Sequence, residues 1–245
     1  MRQFTPYLFL LLAASFLYSC KSAKLSDAEE KQRIGEYFEA AAIYRKVYTK
    51  TPPAKRDLRG YIAFRMAECN RLINNTPRAT SAYMNALRYK YPDSIVNLRL
   101  GQMYQKSGRY GEAVKYYNDY LLAEPGSVLA FNGVTGCEEG VKWKQSPTRY
   151  TVKRMDKFNS RRSEFSPMLY GEKYDQLYFA STRTPKGAGK DKEETNSAIT
   201  GQRNNDLFLV KQDENGAYDP VIDGMRGFIF INRYGGVQTP QSVNR

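Results

Sequence analysis

Gly108-x-Tyr110-x-x-Ala113-x-x-x-Tyr117-x-x-Tyr120-Leu121-x-x-x-Pro125 restates an earlier stretch, Gly35-x-Tyr37-x-x-Ala40-x-x-x-Tyr44-x-x-Val47-Tyr48-x-x-x-Pro52. Between them Ala79-x-x-x-Tyr83-x-x-Ala86-Leu87 follows the same template, with Asn74 and Thr76 in place of the glycine and the first tyrosine. The marker alanines at 40, 79 and 113 are about one 34-residue unit apart, with a few residues inserted in the first interval. Such a period describes a helical hairpin that cannot bury its apolar face alone and stacks on its neighbours. A chain built this way is first of all a binding surface.

Each position of the template has a physical reading. Gly35 and Gly108 are predicted to reverse the chain between two helices, where a residue able to take φ > 0 is needed. Ala40, Ala79 and Ala113 are small where helices cross closely, and Tyr44, Tyr83 and Tyr117 lie four residues on, on the same face. Pro52, Pro92 and Pro125 are expected to end the second helix of each unit. Leu100-Gly101-x-x-Tyr104 supplies the first helix of the last unit, and Val128-Leu129-x-Phe131-x-x-Val134 reads as the first helix of a fourth, capping hairpin.

These motifs resemble the tetratricopeptide repeat (TPR) family over roughly residues 26–140. The resemblance implies a mainly α chain, a TPR helical-hairpin solenoid over residues 20–140, and protein partners held in a groove lined by the first helix of each hairpin. Carried onto this chain, the groove positions are Tyr61, Arg65, Glu68 and Arg71 of the middle unit and Gln102, Gln105 and Lys106 of the next. The same side chains could equally be solvated helix faces. Phe64 and Glu68 stand where the family's carboxylate-clamp subgroup has Lys and Asn, so capture of a free peptide C-terminus is not expected. The 20 tyrosines read as core filler with a polar tip.

The N-terminus indicates where the surface lives. Arg2 precedes an apolar run from Tyr7 to Leu17, shorter than the ~20 residues a spanning helix needs. Leu17-Tyr18-Ser19-Cys20 then sets a small residue before a cysteine, with polar Lys21-Ser22 after it. This is similar to a bacterial secretory signal that closes in a lipobox. The resemblance implies removal of residues 1–19, acylation of Cys20 and a lipid anchor in the outer membrane, facing the periplasm. Cleavage nearby to give a soluble secreted protein is the alternative.

Composition narrows the chemistry. There is no histidine, which removes His-based triads, His metal sites and the commonest general base. Cys69 and Cys137 fall on predicted helices of separate units and read as small core residues, although two such thiols could pair in an oxidising compartment. No CxxC spacing and no carboxylate pair with catalytic spacing occurs, so neither an enzyme nor a metal or other cofactor is expected. The formal charge is +13, and between residues 142 and 162 eight Lys or Arg residues face one acid, Asp156. Outside the cytoplasm such a run meets little nucleic acid. Residues 141–162 are therefore read as a basic linker, with an acidic partner as the other possibility.

Beyond the linker the pattern alternates. Ser163-Glu164-Phe165-Ser166-Pro167 leads by a turn into a strand over Asp175–Arg183. A polar loop follows from Pro185 to Asn205, then a second strand over Asn205–Lys211 and a turn at Asn215-Gly216. The order resembles the first blade of a WD40-like (PD40-type) β-propeller, over residues 163–220. One blade cannot close a ring, and residues 221–245 fit no blade. Phe228–Ile231 there reads as an exposed strand edge, and the chain as a shortened product of a longer gene. The succession of lipoprotein signal, repeats, basic linker and blade resembles the periplasmic PorE-like lipoproteins of the type IX secretion and gliding machinery. That family implies an envelope scaffold with protein partners, and peptidoglycan binding only through a C-terminal domain not seen in this sequence. A glycan-acquisition lipoprotein is the next reading, weakened because the only tryptophan, Trp143, falls in the predicted linker. A fragment of a propeller-containing enzyme is the third.

Overall fold

The computed structural model describes residues 23–156, 158–184 and 196–218. Residues 1–22, with the signal and Cys20, lie outside the described residues, as do 185–195 of the polar loop and the tail from 219 to 245. The chain divides into two compact units, Met1–Ser146 and Pro147–Arg245.

The first unit contains seven helices among its described residues: α1 (Leu25–Arg33), α2 (Tyr37–Lys50), α3 (Arg56–Leu72), α4 (Thr76–Arg88), α5 (Ile95–Lys106), α6 (Tyr110–Ala123) and α7 (Val128–Gln145). They pair as α1–α2, α3–α4 and α5–α6, and α7 packs on α5 and α6. Each hairpin turns through a residue in the left-handed region: Gly35 at φ 84°, Asn74 at 63° and Gly108 at 71°. Asn74 can stand in the middle turn because its short polar side chain tolerates that conformation better than other non-glycine residues. Three repeat cores result. Ala40 with Tyr44, Ala79 with Tyr83 and Ala113 with Tyr117 are all sealed from solvent, each ring adding a large apolar contact area.

Close approach explains two glycines. A Cβ on Gly101 would lie 2.6 Å from the Tyr117 ring, and one on Gly133 would lie 2.5 Å from its other end. The ring is thus clamped between the backbones of α5 and α7. The earlier repeats carry Ala28 and Ala67 at the position of Gly101, both fully buried.

The insertion between the first two markers lies in one place. α3 has 17 residues where α5 has 12, so the second hairpin gains more than a turn at its start. The added turn brings Arg59 over the Tyr48 ring, 4.0 Å from its centroid, where its guanidinium donates to the Tyr48 carbonyl at 3.2 Å and to that of Thr51. Arg56 donates to the Arg88 carbonyl at 3.2 Å. A cation at a helix C-terminus satisfies carbonyls that have no partner within the helix and favours the negative end of its dipole.

Helix ends depart from expectation in two repeats. α4 stops at Arg88, followed by Lys90 in the left-handed region at φ 56°, so Pro92 is not what ends it. The capping hairpin forms only its first helix. α7 starts at the Ser127 cap, whose hydroxyl accepts the Ala130 amide at 3.3 Å, and runs to Gln145. Ser146 and Pro147 then close it, since the residue before a proline disfavours the helical region, and no helix follows among the described residues. Trp143 accordingly lies exposed on α7 and not in an irregular linker. Cys69 and Cys137 are free and buried, in different clusters beside Tyr44 and Tyr117. No described helix is long and apolar enough to cross a membrane.

The second unit holds an antiparallel sheet in the order β1 (Glu164–Tyr170), β2 (Gln176–Ser181), β3 (Asp206–Lys211). β2 and β3 coincide with the two predicted strands. β1 was not predicted, because Ser166-Pro167 reads as a break. The structure absorbs it in an irregularity between Phe165 and Met168, with Ser166 at φ 52°, where proline is tolerated on an edge strand. Phe179, Phe208 and Val210 form the core together with Phe158. The guanidinium of Arg183 lies 5.1 Å from the centroids of both Phe179 and Phe208 and pairs with Glu164 at 2.9 Å. Gly216 takes φ 77° in the predicted Asn215-Gly216 turn. The expected linker 141–162 is therefore shorter than its sequence suggests, because 141–145 belong to α7 and Phe158 to the sheet's core.

Candidate functional site

The first helices α1, α3 and α5 carry a chain of polar side chains that bond from one repeat to the next. Tyr61 on α3 donates its hydroxyl to Glu29 Oε1 of α1 at 2.7 Å; burial and that carboxylate push its hydroxyl up to about 12. Arg65, on the next turn, makes a long 3.5 Å contact from Nε to the Tyr44 hydroxyl. Glu68 is the centre of the group. Its carboxylate accepts from Arg71 Nη2 at 2.6 Å and from the hydroxyl of Tyr83, and it forms an ion pair with Arg99 of α5 at 3.2 Å. Burial alone would raise the Glu68 carboxyl, but the hydrogen bonds from Arg71 and Tyr83 outweigh it and hold the group below its ordinary value.

A rule links these contacts to the repeat. The buried tyrosine of each hairpin is aromatic for packing, and its hydroxyl still needs an acceptor. In the first and third hairpins it is a glutamine three residues before the turn glycine: Tyr44 donates to Gln32 at 2.9 Å and Tyr117 to Gln105 at 2.6 Å. In the middle hairpin Arg71 occupies that position. A guanidinium accepts nothing, so Tyr83 turns to Glu68 one turn earlier, and Arg71 becomes the counter-charge.

All seven sequence-predicted groove residues lie on these first helices, and each already has a partner within the unit. Gln102 accepts from Arg99 Nη1 at 3.1 Å, and Lys106 donates to Asn74 Oδ1. Gln105 and Glu68 serve the tyrosine hydroxyls first and Arg71 serves Glu68, and what they offer a partner is their remaining donor and acceptor capacity. Phe64 stacks on Tyr91 with centroids 4.4 Å apart. Sequence reasoning missed Glu29, Gln32 and Arg99, although Gln32 and Gln105 at matching distances before their glycines were a visible signal. Cys69 has no part in this chemistry, since burial pushes its thiol up to about 12.

Residues 96–127 match the tetratricopeptide repeat. The match covers α5, the Gly108 turn and α6, and the helical unit is a solenoid of such hairpins. Among solved structures, a crystal structure of the MamA protein shares 17% identity with a TM-score of 0.43, covering 50% of this chain and 64% of that one. A second MamA crystal structure shares 17% with a TM-score of 0.43, covering 49% and 68%. The chain thus spans under two thirds of the first of these proteins' length. No curated protein matches.

Proposed function

We propose that this chain is a membrane-anchored protein–protein interaction scaffold, holding its partners on the face formed by α1, α3 and α5. The observation that carries the reading is a pair of cross-repeat contacts on that face, Tyr61 to Glu29 and Arg99 with Glu68. They fix side chains of three successive hairpins while leaving them partly exposed, Glu68 at 15% and Arg99 at 24%. A surface ordered in advance loses less side-chain freedom on binding. Its mixture of guanidinium, carboxylate and amide groups suits a polar polypeptide.

The anchor in this reading is acylated Cys20, with residues 1–19 removed, in the periplasmic leaflet of the outer membrane. The partners are envelope proteins of a type IX secretion or gliding-like assembly, and the three-stranded sheet is part of a PD40-type propeller blade. The lipobox-like Leu17-Tyr18-Ser19-Cys20 and the order of the segments support these assignments.

The test has two arms in the native host. Cys20→Ala should move the protein from the membrane pellet to the soluble fraction, and intact mass should show three acyl chains on the wild type only. A photo-crosslinking residue at Gln102 should trap an envelope protein, while one at the exposed Leu122 of α6 should not. Equal trapping at both positions would falsify the proposed face.

A further inference from the structure

A second surface lies between α2 and α4, away from the face just described. A groove of about 810 Å³ runs between these two helices, floored by Met66 and Asn70 of α3 and by Ala82 of α4. The repeat itself explains why it is open. Moved on by one repeat, Asn70 corresponds to Tyr104 and Ala82 to Tyr116. At the α4–α6 junction these two rings stack with centroids 5.3 Å apart and planes 3° from parallel, and the Tyr116 hydroxyl reaches Met84 Sδ at 3.3 Å. Between α2 and α4 the same slot has lost both rings. The protein thus displays, one repeat along, what fits there: an aromatic side chain.

The charge around the slot changes as well. Arg45, Lys46, Lys50 and Arg78 line the groove, and among the described residues no carboxylate does. In the filled junction Met84 stands at the position of Arg45 and Glu112 at that of Arg78. The empty slot is therefore the more basic of the two, since its filled counterpart offsets Arg88 and Lys115, at the positions of Thr49 and Ser81, with Glu112 and Asp119.

We propose that the α2–α4 groove is a docking site for an acidic segment of a partner protein, which seats one aromatic side chain on Ala82 and Asn70 as Tyr116 seats itself one repeat on. Arg45, Lys46 and Arg78 on the rim would meet the flanking carboxylates and speed the encounter, and the ring in its slot would set the lifetime of the complex.

The test is an NMR titration of the isotope-labelled chain with the peptide acetyl-Glu-Asp-Glu-Tyr-Asp-Glu-amide. Amide shifts should concentrate on α2 and α4. Replacing the peptide tyrosine by alanine, or filling the slot from within by Ala82→Tyr, should weaken binding by about tenfold or more. The surface pair Arg45→Glu with Arg78→Glu should abolish it without touching the core. Gln102→Ala should leave it unchanged, which separates this groove from the α1–α3–α5 face. Binding that survives both the Tyr→Ala peptide and a folded Ala82→Tyr variant would reduce the groove to a general anion surface and overturn the proposal. Shifts confined to α1 and α5 would also overturn it. So would self-association of the chain that disappears in Ala82→Tyr while the peptide has no effect, since a second copy would then be the occupant.

Discussion

The α4–α6 and α2–α4 junctions join equivalent helices of successive repeats, yet one is filled by stacked tyrosines and the other is an open, basic groove. The residues that build each hairpin are nearly the same in both: a left-handed turn residue, a buried alanine and a buried tyrosine. What differs are positions outside the recurring pattern, Asn70 against Tyr104, Ala82 against Tyr116, and the added turn of α3. The recurring positions decide that a hairpin forms, and the variable ones decide how hairpins meet and what their meeting place can hold.

The strongest challenge to this division falls on the recurring positions. Gly133→Val should cost about 3 kcal/mol by forcing a side chain into the Tyr117 ring, read as a lower urea midpoint. Ala67→Gly in the middle repeat should cost only about 1 kcal/mol through helix propensity. Equal losses would show that the third hairpin is no more tightly packed than the second.

Glu68→Leu comes next, at about 2 kcal/mol near neutral pH, because it strips Arg71 and the Tyr83 hydroxyl of their acceptor and Arg99 of its counter-charge. Its pH dependence has a definite sign. The folded state holds this carboxyl below 4.5, so its contribution is present above that value and is lost as pH falls through the lower folded value. The gap between wild type and Glu68→Leu should therefore narrow on acidification below 4.5, which stability measurements across that range would show. A constant gap would mean that packing, and not charge, is what Glu68 supplies.

Tyr44→Phe and Tyr117→Phe should each cost about 1 kcal/mol, the net worth of one hydrogen bond to a neutral acceptor. Tyr83→Phe should cost more, because its acceptor is charged. Last, the double variant Asn70→Tyr with Ala82→Tyr should reproduce the stacked pair and raise stability by about 1 kcal/mol. A loss instead would show that the α2–α4 slot differs in shape from its counterpart and not only in filling.

Much of the helical unit was legible in its letters. The spacing of alanine, tyrosine and glycine marked the hairpins, and even the degenerate middle turn was visible as Asn74. The end of α4 was not, because a lysine taking the left-handed region leaves no mark in sequence, whereas Pro92 nearby is conspicuous. β1 was hidden behind Ser166-Pro167, which argues against a strand unless an irregularity accommodates it. The seven groove residues were placed on the correct helices. That Arg65, Glu68 and Gln105 meet the hydroxyls of Tyr44, Tyr83 and Tyr117 required knowing which rings are buried, and Glu29 and Arg99 lie in other repeats from Tyr61 and Glu68, which they contact. The groove between α2 and α4 is an absence of side chains, legible only once Tyr104 and Tyr116 were seen filling the corresponding space.

The added turn of α3 has a consequence for how freely the units could be exchanged. Arg59 and Arg56 come from that insertion, and each serves carbonyls at or just beyond the end of a neighbouring helix, α2 and α4. A chimera in which the second hairpin is replaced by a copy of the third would keep every consensus residue and lose both cations. The carbonyls of Tyr48 and Thr51 at the end of α2 would then lose the guanidinium that joins them to the second hairpin. These hairpins are thus alike in pattern without being interchangeable, and the first two behave as a joined pair that has to be inherited, deleted or transplanted together.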